Sequence, residues 1–482
     1  MASSPHSPSA AELALAASIA TWLPQTRWFA AKGNAQVEIR IRDLAVLPDR
    51  EVALVLVDYS QASAPAIAVP AARYFLPVDV ASGRDAAAAG TGADWLVRTI
   101  AEGAALSARD GSFVGRPLAG AGRIDLAPPL RVRQLGEDAS NTSLVVKGAS
   151  PSADATGGVI LKLLRRCRPG IQPEVEVGRF FATESPWKGT PELLGWLEYA
   201  PAAAAAEPTT LATLHTFHEG YASGWDCLLG QMAPGGLSGV SRERILRIVA
   251  SLGAETAAMH RALAVSTENP AFAPEPATPA SRQAERAAMA AHARTVCRLA
   301  QRQAKSLPAG IAERLRRLGT SAERLVAGLA GPPSQESFVA NIRVHGDYHL
   351  GQVLVGPHDK RVLVIDFEGE PGRELEQRRA KTSAAKDVAG MCRSFDYLVR
   401  VAAQQIGLPA NPADTALLEA TFLTAYQAQA AGAEWWPADS TAALALLATY
   451  KLDKLLYELA YELYNRPDWV EVPLTALDDY LR

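Results

Sequence analysis

The chain has 482 residues, a net charge of −3, 48% hydrophobic and 21% charged residues. These values fit a soluble globular protein of roughly two to four domains and give no reason to expect a nucleic-acid partner. Four cysteines, Cys167, Cys227, Cys297 and Cys392, stand far apart with no CxxC pair, which argues against a zinc finger or a disulfide framework and suits a reducing cytosol.

The N-terminal stretch MASSPHSPSAAELALAASIATWL lacks a basic n-region and a cleavage site, and no run of about eighteen apolar residues occurs. A cytoplasmic protein without a membrane segment is therefore expected. A helix is predicted over residues 10–23. Short β-branched runs follow over 36–76, VEIRIRDLAVL, VALVLVDYS and AIAVPAARYFL, and read as an antiparallel sheet. The Gly/Ala-rich stretch ASGRDAAAAGTGAD at 81–94 places a boundary near residue 95 and sets off an N-terminal module, 1–95. A second strand-rich module, 96–208, holds LRVRQLG, TSLVVKG and GVILKLLRR, with ASPSADATGG as a turn between the last two. APAAAAAEP marks another soft break, after which helical periodicity dominates the module 209–482. The fold class expected is α+β. Strands interrupt the helical module once, at 341–366, and they carry the chemistry.

HGDYHLGQVL (345–354) and VLVIDFEGEP (362–371) have to be read together. The runs IRV before His345 and VLV after Gln352 are β-type, GPHDK (356–360) is a turn, and RVLVI (361–365) is a second strand. Paired strands lie ~4.8 Å apart. Gln352, entering the hairpin, and Asp366, leaving it, should therefore sit side by side, with Asp347 one tight loop upstream. An amide oxygen beside a carboxylate suits magnesium, a hard cation that takes few protein ligands. A separate carboxylate, Asp347, can then accept a proton from an attacking hydroxyl. Metal pair plus base is the layout of kinase-type phosphoryl transfer. His345 and His349 stand four apart as in HExxH, but that zinc motif needs a helix and a Glu after the first His, where a Gly follows here. The remaining alternative is a structural hairpin. Its acids, Asp347, Asp366, Glu368 and Glu370, would repel one another unless a cation or a function offset the crowding.

These two stretches resemble the catalytic and metal-binding loops of the aminoglycoside phosphotransferase-like kinases, and above all the maltokinase-like branch, which has Gln where most of the superfamily has Asn. KDVAGMCRSFDY (386–397) and YKLDKLLYELAYELYNRPDW (450–469) also look like that branch, and WLPQTRWFAAKG (22–33) resembles the start of its cap module. The resemblance covers nearly the whole chain. It implies a bilobal, eukaryotic-protein-kinase-like fold with an N-terminal cap. It also implies ATP with Mg2+ bound between the lobes, Asp347 as base, and Gln352 and Asp366 as metal ligands.

A kinase needs a cation on the nucleotide phosphates. Lys162, inside a β-type run and followed by a loop and an acidic helix start, is the candidate, paired with Glu176 or alternatively Glu174. GEDASNTSLVV (136–146) sits where a phosphate-covering hairpin belongs. It holds one glycine, so Asn141, Thr142 and Ser143 are the candidate donors. TLATLHTFHEGYASGWD resembles the family's interlobe hinge, which implies that backbone from His215 to Phe217 meets the adenine. No Ala-Pro-Glu element follows DFEGEP, which argues against a protein kinase.

For the acceptor, AGAEWWPADSTAA (431–443) sets Trp435 and Trp436 between Glu434 and Asp439. Sugar rings stack on aromatic faces, and cations gain on both tryptophans and carboxylates; the alternative is a loop whose tryptophans only pack. The chain looks most like the actinobacterial glucosamine kinases of this branch. That resemblance implies phosphorylation of D-glucosamine at its 6-hydroxyl. Maltose phosphorylated at its anomeric hydroxyl is the second reading, followed by an aminoglycoside acceptor or a non-catalytic, kinase-shaped binding protein. A monomer is expected.

Overall fold

The computed structural model describes residues 9–29, 37–48, 51–61, 72–120, 129–136, 140–148, 158–232, 237, 239–265, 268–330, 339–359 and 361–482. The turn expected at 149–158 falls outside them but for Gly158, as do residues 137–139 of the phosphate-covering stretch. The chain forms two compact units, one of residues 1–184 and 191–219, the other of residues 185–190 and 220–482. The break expected near residue 95 lies inside the first.

Two antiparallel sheets build the first unit. One has four strands in the order Val37–Val46, Val52–Gln61, Ala72–Asp79 and Arg166–Cys167. Its second strand, VALVLVDYSQ, is apolar at nearly every position because both of its faces are covered. Val55, Val57 and Tyr59 meet Ile19, Trp22 and Leu23 at the end of the helix Ala10–Trp22. Leu54 and Leu56 enter a second core shared with the helix Ala93–Glu102 and the larger sheet. That sheet has seven strands in the order Ala105–Ser107, Gly111–Pro117, Leu193–Pro201, Thr209–Thr216, Val159–Leu163, Thr142–Lys147 and Arg131–Leu135. Its register sets Ser143, Lys162 and Thr213 directly across from one another on one face.

Two buried charges tie the parts of this unit together. Asp43 accepts from the amides of Arg109 (3.1 Å) and Asp110 (3.0 Å) and from the Tyr199 hydroxyl (2.7 Å). Arg165, 1% exposed, donates to Thr142 Oγ1 (2.8 Å) and Asp85 Oδ2 (2.6 Å) and lies 4.8 Å over the Trp28 ring. Burial favours its neutral form, and the Asp85 carboxylate offsets that effect only in part.

Helices dominate the second unit. Chief among them are Gly239–Leu263, Pro279–Gln303, Ala385–Gln405, Pro412–Ala430 and Ser440–Asn465. None among the described residues is long and apolar enough to cross a membrane. The expected interruption is present as a three-stranded sheet of Ala222–Ser223, Val353–Val355 and Val362–Val364. The IRV run before His345 does not form a strand and contributes only a bridge from Ile342 to Thr382. Its neighbours are loops, which offer no ladder to extend.

Asp85→Ala would leave the Arg165 guanidinium buried without its counter-charge. Removing one partner of a buried pair costs about 3 kcal/mol. Urea unfolding should show a midpoint lowered accordingly at unchanged slope, with Asp85→Asn intermediate.

Candidate active site

The hairpin of Val353–Val355 and Val362–Val364 brings its two ends together as its spacing requires, with Val353 opposite Val364. At its open end Gln352 Nε2 donates to Asp366 Oδ2 at 2.9 Å. The amide oxygen is thereby turned to the other side of the fork. Asp366 itself holds a left-handed backbone (φ 71°), a conformation Asp tolerates better than most residues. The short segment before the main body of this unit docks here as well. Val364 donates to Gly189 O, and Trp187 meets the Phe367 ring edge-on at 6.3 Å.

Upstream, the loop from His345 to Leu350 is held from beneath. The buried Asp387 carboxylate accepts from the amides of His345 (2.7 Å) and Gly346 (2.9 Å). His260 Nε2 donates to the same carboxylate at 3.1 Å, and its Nδ1 accepts from Tyr426 Oη at 2.9 Å. Leu350 N donates to Ser394 Oγ (3.0 Å), and the Tyr348 and Thr256 hydroxyls share a bond of 2.9 Å. The helix Ala385–Gln405 comes close enough to do this because residue 390 is glycine. A Cβ there would meet Tyr348 O at 2.5 Å. His345 is a packing histidine in a fixed tautomer, its Nε2 donating to Ile365 O (2.8 Å) and its Nδ1 accepting from Asp347 N (3.3 Å). His349 Nδ1 accepts from Gly351 N (3.0 Å), so neither ring is arranged as one of a zinc pair.

Asp347 itself meets Lys454, whose Nζ lies 2.8 Å from Oδ1. Both side chains are largely buried, 16% and 13% exposed. Burial pushes the Asp347 carboxyl up, but the Lys454 ammonium outweighs it and holds the group well below the usual carboxylate range. For Lys454 burial works against the charge, and Asp347 and Glu370 more than restore it. Asp347 is therefore an anion across the working pH range, as a proton acceptor must be before it acts.

In the first unit Lys162 pairs with Glu174 at 3.0 Å, both buried. Glu174 is the alternative partner of the sequence reading, in which Glu176 came first. Positions two apart on a helix point different ways, and on Pro173–Thr183 it is Glu174 that faces the strand. His215 Nε2 lies 3.4 Å from the other Glu174 oxygen. Of the candidate phosphate donors, Thr142 is already the acceptor of Arg165, Asn141 is buried, and Ser143 stands cross-strand from Lys162. Phe217 N donates to Gly158 O at 3.0 Å, so that amide already serves the sheet.

Residues 131–370 match the phosphotransferase enzyme family, and residues 22–110 match the maltokinase N-terminal cap domain. The chain belongs to the phosphotransferase enzyme family. It is similar over 99% of its length to the whole of a solved glucosamine kinase in complex with glucosamine, ADP and inorganic phosphate, with a TM-score of 0.61 at 26% identity. It is 31% identical to the glucosamine kinase of Streptacidiphilus jiangxiensis over 58% of this chain, spanning 59% of that relative's length. With the glucosamine kinase of Mycolicibacterium smegmatis it shares 37% identity over 28% of this chain and 33% of the relative.

Within this phosphotransferase fold the acceptor residues expected from EWWPAD take other parts. Trp435 and Trp436 are buried, 7% and 6% exposed, and Trp436 packs edge-on against Tyr426 at 4.7 Å. Asp439 caps the helix Ser440–Asn465 through Ala442 N at 2.7 Å. Glu434 is exposed, and its carbonyl accepts from Ala340 N. Tryptophans with covered faces cannot stack on a sugar, so that reading gives way to packing. Asp387, His260 and Lys454 were missed as site residues. The first and last lie in stretches already singled out, KDVAGMCRSFDY and YKLDKLLYELAYELYNRPDW, but the contacts that give them meaning are long-range.

The Asp387 carboxyl is buried, which raises its pKa, yet His260, His345 and the Gly346 amide bring it below the usual value. A lowered folded-state pKa adds stability above the unfolded value, and that stability is lost as pH falls through the folded value. Asp387→Asn should therefore be less stable than the parent at neutral pH and less sensitive to acid. Thermal melts across the acid range check both signs.

Proposed function

We propose that this protein is an ATP-dependent sugar kinase whose acceptor is D-glucosamine, phosphorylated at the 6-hydroxyl. The observation that carries the reading is the full-length likeness to a kinase holding glucosamine and ADP, joined to an ionised Asp347 in the catalytic loop. Asp347 takes the proton of the attacking hydroxyl. Lys162, oriented by Glu174 and His215, neutralises nucleotide phosphate. Gln352 and Asp366 would hold Mg2+. A hard oxygen pair with room for phosphate oxygens fits that ion, which supplies charge neutralisation when bound. The aromatic face beside the base is Tyr457, whose ring lies 4.5 Å from Lys454 Nζ. The maltokinase-type cap over 22–110 keeps maltose as the second reading.

An ADP-release assay over glucosamine, N-acetylglucosamine, glucose, maltose and an aminoglycoside tests the acceptor. Glucosamine should lead glucose by roughly ten- to a hundredfold in kcat/KM, the value of one charged hydrogen bond to its ammonium. A lead for maltose, with glucosamine inert, would make the protein a maltokinase instead.

Asp347→Asn removes the proton acceptor without removing bulk, and turnover should fall by about 10²–10⁴-fold with nucleotide binding retained. Asp366→Ala should raise the magnesium requirement and depress the rate more than Gln352→Ala, since a carboxylate brings full charge and an amide a dipole. Calorimetry of nucleotide binding in a magnesium series checks that order.

A further inference from the structure

Lys454 belongs to no motif that the chemistry of the hairpin demands, yet its ammonium is hydrogen-bonded to the proposed base. It arrives from the helix Ser440–Asn465, 107 positions along the chain from Asp347. The geometry at the base is one-sided. Lys454 Nζ bonds Oδ1 at 2.8 Å, while Oδ2 takes no hydrogen bond among the described residues. The Glu370 carboxylate, itself buried and paired with Arg373 and with Lys386 (3.5 Å), also favours the charged form of this ammonium. The Tyr457 ring lies 4.5 Å from Nζ and covers it. A lysine tail normally keeps several rotamers; one bonded to a carboxylate and packed on a ring is held in place.

We propose that Lys454 is the positioning residue of the base: it fixes Asp347 by Oδ1 and leaves Oδ2 as the oxygen that receives the acceptor's proton. The inference rests on the sugar-kinase reading for its substrate but not for its geometry. In the step, the acceptor O–H bond breaks and its proton passes to Oδ2. The acceptor oxygen forms a bond to the γ-phosphorus as the bond from that phosphorus to the β,γ-bridging oxygen breaks, its electron pair leaving on ADP. Lys454 stays protonated throughout.

The groups facing Asp347 are Lys454 and Tyr457 from the C-terminal helix and His345 and His349 from its own loop, with Glu370 acting through Lys454. Lys454→Met removes the cation that hydrogen-bonds Asp347. With whichever sugar the wild type phosphorylates, kcat should fall about ten- to a hundredfold while KM for ATP stays within a few-fold, and Lys454→Arg should recover part of the loss. The acid limb of kcat/KM, absent in the wild type down through weak acid, should move into or above the ordinary carboxylate range in Lys454→Met and stay low in Lys454→Arg. Lys454→Met combined with Asp347→Asn should be no slower than Asp347→Asn alone.

Thermal melts read the same contact without turnover. The wild-type pair should lose stability as pH falls. Lys454→Met, which leaves Asp347 buried without its counter-charge, should instead lose stability as pH rises through the raised carboxyl value. Wild-type kcat with an unmoved acid limb in Lys454→Met would overturn the proposal, and so would multiplicative losses in the double variant or unchanged signs in the melts. Should the wild type phosphorylate no sugar, the functional reading fails while the melts still decide whether Lys454 governs Asp347.

Discussion

The loop from His345 to Leu350 in the second unit hangs from one buried carboxylate. Amides of His345 and Gly346 face the protein interior, where an unmatched N–H is costly, and Asp387 accepts from both. An anion in that position needs its own support, which His260 supplies, backed in turn by Tyr426. Because Asp387 sits in the first turn of the helix Ala385–Gln405, the loop inherits the rigidity of an element buried along much of its length. Gly346 (φ 89°) lets the chain turn sharply enough to present Asp347, and Gly390 lets the helix approach the Tyr348 carbonyl. Remove the carboxylate and the base has no fixed address.

A second regularity follows from burial. Two buried lysines are each matched by a carboxylate: Lys162 by Glu174, and Lys454 by Asp347. Taking such ions out of water is expensive, and the mutual attraction returns that cost only when geometry is close. Pairing also keeps the ions in their charged forms. A phosphotransferase relies on this, since its work consists largely of placing charge rather than making covalent bonds. The tryptophan pair has a related role at one remove. Trp436 packs on Tyr426, which bonds His260, so a stretch that looked like an acceptor site instead braces the support of the catalytic loop.

Much of the site was legible in the sequence because its signals are local. A hairpin must bring its two ends together, so Gln352 and Asp366 had to be neighbours once the strands and turn between them were recognised. Lys162 on a strand followed by an acidic helix start fixed the ion pair to within two residues. The choice of Glu174 over Glu176 needed the helix phase relative to the sheet. Asp439 shows the opposite case. An Asp just ahead of a helical run is a common cap, and the chemistry attached to it by its tryptophan neighbours was misleading.

By itself, then, the sequence determined the hairpin, the meeting of Gln352 and Asp366 at its open end, and the lysine on the strand, since each depends on residues close in the chain and on periodicities that two-residue and 3.6-residue repeats impose. Tertiary structure alone decided which acid holds Lys162, that Trp435 and Trp436 are covered, and that Lys454 reaches Asp347 across 107 positions. Such contacts depend on how separate helices pack, and packing is set by volumes and buried polar partners summed over the whole core, which no local spacing encodes.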